Sequence, residues 1–101
     1  MRLYDLATTI RSKNAGPFRL TIDLVLEDVD AFERVLRSEE MQAGRIAALY
    51  AVSADDVHVI PFERILTIKI AMPRPGASSG APADRDVYGC AQHFPLAEID
   101  V

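Results

Sequence analysis

Apolar and polar positions change their period several times along this chain, and each change marks a new element. Leu3, Leu6, Ala7 and Ile10 recur at the spacing of one helical face, and Asn14, Gly16 and Pro17 follow as a stop signal. The spacing predicts a first helix over roughly the first dozen residues. From Phe18 to Leu26 the period falls to two: Phe18, Leu20, Ile22, Leu24 and Leu26 point one way, and Arg19, Thr21, Asp23 and Glu27 the other. That alternation is the signature of a half-buried strand.

Asp28 or Asp30 is placed to cap a following helix that carries Val29, Phe32, Val35 and Leu36, with Glu33 positioned to complete a capping box on Asp30. Ser38, Glu39 and Glu40 repeat the start signal, a hydroxyl followed by two acids, for a stretch carrying Met41, Ile46, Leu49 and Tyr50 and ending near Val52. Pattern leaves open whether these are two helices or one kinked helix. Ser53 to Asp56 reads as a turn, and Val57 to Phe62 and Arg64 to Met72 read as strands joined in an antiparallel hairpin. Leu66, Ile68, Ile70 and Met72 share one face of the second strand, Thr67 and Lys69 the other. Pro73 to Arg85 is rich in proline, glycine and serine and reads as a long loop, while Leu96, Ile99 and Val101 suggest a short final strand. The order implies an α+β fold in two layers. A mixed sheet of about four strands has helices on one face, and the helical crossover makes the first strand and the one after the helices parallel.

Length and charge narrow the function. At 101 residues the chain fits one domain, and a core of that size leaves pairing with another surface useful for stability. A net charge of −4 argues against a nucleic-acid partner, which demands dense lysine and arginine. One cysteine, Cys90, rules out an internal disulfide. The longest apolar run, Ile46 to Val52, is too short to span a bilayer, so a cytoplasmic location with no membrane contact is the expectation.

Two segments concentrate polar chemistry. Arg11, Ser12, Lys13 and Asn14 precede Gly16 and Pro17, and two cations with a hydroxyl and an amide suit a carboxylate or phosphate. The plainer alternative is a helix C-terminus, its negative end met by Arg11 and Lys13 and its last turn capped by Asn14 and Gly16. The second segment is the long loop with its exit, where Arg74, Ser78, Ser79, Asp84, Arg85, Asp86, Tyr88, Gln92 and His93 cluster. His93 is a weak candidate proton carrier oriented by Asp84 or Asp86, and more ordinarily a surface hydrogen-bonder. His58 reads as structural. Cys90 lacks an activating base, two histidines and one cysteine do not support a zinc site, and no cofactor-binding motif occurs.

The opening Leu3-Tyr4-Asp5-Leu6-Ala7, the run Ile10 to Pro17, and Asp86-Val87-Tyr88-Gly89 with Gln92-His93 resemble domain-of-unknown-function family 4387 across essentially the whole chain. The resemblance implies a small companion chain, or fused C-terminal domain, of large acyclic-terpene-utilisation-type proteins, and brings no assigned reaction or catalytic residue. Cys90 and Ala91 stand where that pattern has small or amide side chains. The leading expectation is an accessory subunit, not catalytic alone, that docks on a larger carbon-metabolism enzyme or completes its site for an acyl-CoA or carboxylate substrate. Its two polar segments would form one shared surface. A homo-oligomeric lyase or isomerase with an interface site, and a small anion-binding regulatory module, are the alternatives.

Overall fold

The computed structural model describes residues 2–15, 18–73, 94–97, 99 and 101. Four strands, β1 (Ala7–Asn14), β2 (Arg19–Leu26), β3 (His58–Phe62) and β4 (Thr67–Pro73), form a sheet in the order β1-β2-β4-β3. Helices α1 (Leu3–Leu6), α2 (Val29–Arg37), α3 (Ala43–Tyr50) and α4 (Phe94–Ala97) complete the α+β fold. Leu20, Ile22 and Leu24 of β2 lie in register with Met72, Ile70 and Ile68 of β4, and all six are fully buried. Burying each is worth about 1.5–3 kcal/mol, which is why these two strands take the centre of the sheet. Phe32, Val35, Ile46, Ala47 and Tyr50 of α2 and α3 close over this face.

Several expectations need correction. The first helix ends at Leu6, and Ala7 to Asn14 form a strand antiparallel to β2. Ala7 pairs with Leu26 but Thr9 with Val25, so Thr8 is an extra residue in the ladder, its hydroxyl donating to Val25 O at 2.9 Å. This bulge turns Ala7 and Ile10, three apart, to the same face, which reproduces a helical spacing inside a strand. The run Thr8-Thr9-Ile10 is β-branched and favours the extended chain.

The sheet is also antiparallel throughout, not mixed. β2 and β3 do run the same way across the helical connection, but β4 is inserted between them, the split β-α-β arrangement. β3 contains Pro61 and exposes Ile60 and Phe62, so it goes to the edge, where a missing N–H costs no ladder bond. The expected β3–β4 hairpin forms, joined by the 3₁₀ turn Glu63–Ile65 and by Leu66, which sits in the left-handed region at φ 51° instead of within the strand. Finally, where a last strand was expected over Leu96 to Val101, Leu96 and Ala97 belong to α4, and Ile99 and Val101 lie in no strand. Leu96 reaches the core through a backbone N–H that donates to the Tyr50 hydroxyl at 3.3 Å, and Ile99 O accepts from Leu3 N at 2.9 Å.

The helical region resolves into two helices. Asp28 caps α2, accepting from Ala31 N at 2.8 Å, while Glu33 pairs with Arg37 at 3.6 Å in place of the expected box with Asp30. Ser38 adopts an extended backbone after α2, and its hydroxyl accepts from Glu40 N at 3.3 Å to start the 3₁₀ turn Glu39–Met41. α3 ends on Ala51 at φ 57°, with Val52 N donating to Ala47 O at 3.0 Å in a Schellman closure.

Candidate functional site

Because strands alternate, the residues between the core positions of β1, β2 and β4 form a second face, which no described helix covers. Its central row is Arg11, Asp23, Lys69 and Ile60, neighbours across four strands. The next rows are Lys13, Thr21, Ala71 and His58 on one side and Thr9, Val25, Thr67 and Phe62 on the other. His58 lies in β3, as its strand pattern implied, and is exposed on this face.

Asp23 is the unusual member. Its side chain is 9% exposed, yet it lies on the open face between two cations: Arg11 Nε is 3.8 Å from Oδ2 and Lys69 Nζ is 3.6 Å from Oδ1. Both separations exceed hydrogen-bond reach, and Oδ1 has no hydrogen-bond partner. The carboxylate is therefore desolvated but loosely held, and neither cation spends a donor on it. Lys13, one pleat away, makes no ion pair among the described residues, so the groove sets three cations beside one carboxylate that only two of them approach.

These groups line a groove of about 300 Å³ whose far wall is apolar: Val25, Phe62 and Ile65, with Thr67 between. Phe62 is 43% and Ile65 64% exposed, unusual for large apolar side chains. Local bonds fix that wall. Thr67 Oγ1 donates to Ile65 O at 3.0 Å, Leu66 N to Glu63 O at 3.1 Å, and Leu26 N to Leu66 O at 2.8 Å. A non-glycine left-handed residue costs about 1–2 kcal/mol, and Leu66 holds that conformation beside the groove.

The strand splits the first predicted cluster. Arg11 and Lys13 reach the groove, whereas Ser12 and Asn14, in register with the core residues Ile22 and Leu20, turn to the other face, Ser12 being 5% exposed. Arg74, Ser79, Asp86, Tyr88, Gln92 and His93, with Cys90, lie outside the described residues, as does the expected meeting of the two segments. Sequence reasoning did not single out Asp23, Lys69, Phe62 or Ile65. The available signal was a pair of opposite charges, Asp23 and Lys69, in mid-strand outward positions of the two central strands.

A second depression, beside Asp5, Glu27, Asp28 and Asp30, includes the cap of α2, whose carboxylate is already committed to the helix. Among the described residues no helix is long and apolar enough to cross a membrane. No curated protein and no solved structure matches the chain. The family described as "Domain of unknown function (DUF4387)" matches it over residues 3–100, covering both the sheet that carries the groove and the later polar segment, and the chain belongs to that family.

Proposed function

We propose that this domain is an accessory subunit, not catalytic alone, that docks through its open sheet face on a larger carbon-metabolism enzyme of the acyclic-terpene-utilisation type. One observation carries the reading: the open face gathers Arg11, Lys13 and Lys69 beside exposed Phe62 and Ile65, on a chain whose net charge is −4. A basic, partly apolar patch on an acidic chain suits a partner surface with carboxylates around an apolar centre. It disfavours face-to-face pairing of two copies, which would set like charges against each other. The role for an acyl-CoA or carboxylate substrate follows the same sign of charge: the docked face would present cations to an acid.

The test is co-expression with the large protein. Reversing both charges (Arg11→Glu with Lys13→Glu) should reduce co-purification at least tenfold, because like charges replace attractive contacts across the interface. Both side chains are exposed, but Arg11→Glu sets a carboxylate opposite Asp23, so a cooperative thermal melt of the double variant must accompany the co-purification to show that the fold is kept. Undiminished co-purification with undiminished activity of the partner would remove this face from the docking surface.

A further inference from the structure

We propose that the groove over Asp23 is a binding site for a short-chain carboxylate that also carries a hydroxyl group. The inference rests on the open face being a binding surface and adds the ligand class; it does not depend on which protein docks there.

The ligand class follows from three features. First, the Arg11 guanidinium keeps its terminal donors, since its closest approach to Asp23 is through Nε at 3.8 Å, and Lys13 has no ion partner among the described residues. Together they offer a fork and a point charge to one carboxylate. Second, Asp23 Oδ1 is buried and lacks a hydrogen-bond donor, a state that native proteins rarely leave uncompensated. Lys69 covers it from 3.6 Å on a flexible stem whose side chain is 33% exposed. When an anion enters, the Lys69 ammonium has a better partner and swings toward it, and Oδ1 is left to accept from a hydroxyl. Third, Val25, Phe62 and Ile65 form an apolar wall for a few carbon atoms. The acid in the floor also sets selectivity by repulsion: a plain carboxylate meets Asp23 unrewarded, whereas a hydroxyl converts the same oxygen into an attractive contact.

Two-dimensional amide NMR of the intact, partner-free chain tests this with butyrate and 3-hydroxybutyrate as probes. The hydroxy acid should shift the amides of Arg11, Lys13, Asp23 and Lys69, with a Kd about tenfold lower than that of butyrate, the effect of one hydrogen bond to a charged group. Asp23→Asn should bind butyrate more tightly than wild type, because the repulsion is gone, while the preference for the hydroxy acid falls to about two- or threefold. A variant that merely failed to fold would lose both ligands and its spectral dispersion, so the opposite signs are diagnostic. Equal affinity for the two acids in wild type, or no shifts at these residues with either, overturns the proposal. Because no partner is present, that failure is distinct from failure of the docking reading, which is judged by co-purification with the large protein and by that protein's activity.

Discussion

Replacing Asp23 with valine should make the protein more stable, and the size of the gain follows from the geometry. Asp23 occupies the middle of a central strand, where aspartate is disfavoured and a β-branched side chain favoured by up to about 1 kcal/mol. Its two ion pairs are long, at 3.8 and 3.6 Å, and the Arg11 side chain is 69% and the Lys69 side chain 33% exposed, so water screens them. Each such pair contributes about 0.2–1 kcal/mol. Against this stands the cost of desolvating a carboxylate whose Oδ1 has no hydrogen-bond donor, on the order of 1–3 kcal/mol. The desolvation and propensity gains exceed the lost pairs, and Asp23→Val should gain roughly 1 kcal/mol. For a chain of this length that raises Tm by about 4–8 °C. Thermal and urea melts of wild type, Asp23→Val and Lys69→Met supply the measurement. A destabilisation above about 1 kcal/mol in Asp23→Val would mean that the carboxylate holds the sheet together, and the argument that it is kept for binding would be refuted.

Two further substitutions test the core and its closures. Burial pushes the Tyr50 hydroxyl up from 10.0 to about 12, against the opposing effect of the Leu96 backbone bond. The raised value means that stability is unaffected below pH 10 and is lost as pH rises through 12. By pH 11 wild type should have lost about 1.4 kcal/mol relative to Tyr50→Phe, measured as the difference between their urea melts at pH 9 and pH 11. Ala51→Gly should stabilise by about 0.5–1 kcal/mol, because Ala51 is exposed and its φ of 57° is strained for any residue with a Cβ. A fall in its thermal midpoint would refute the cap assignment.

Much of the fold was legible because local signals and burial agreed. The alternation over Leu20 to Leu26 and Ile68 to Met72 specified two strands, and Asp28 and Ser38 marked where helical segments begin. The candidate site was half legible: Arg11 and Lys13 stood out as cations, but their nearness in sequence grouped them with Ser12 and Asn14, which the strand turns away. The bulge at Thr8 is the physical cause, since an extra residue in one strand shifts the parity that distinguishes period two from period 3.6.

The sequence by itself determined which positions are apolar and at what local period, hence the α+β class, the start signals at Asp28 and Ser38, and the strands over Leu20 to Leu26 and Ile68 to Met72. Only the tertiary structure decided that Ala7 to Asn14 pair with β2, that β4 inserts between β2 and β3, and that Arg11, Asp23 and Lys69 share one row. Periodicity is a property of a segment and its neighbours in sequence. Strand order and register depend on which faces bury the most apolar surface together, a comparison among segments tens of residues apart that no single stretch of chain contains.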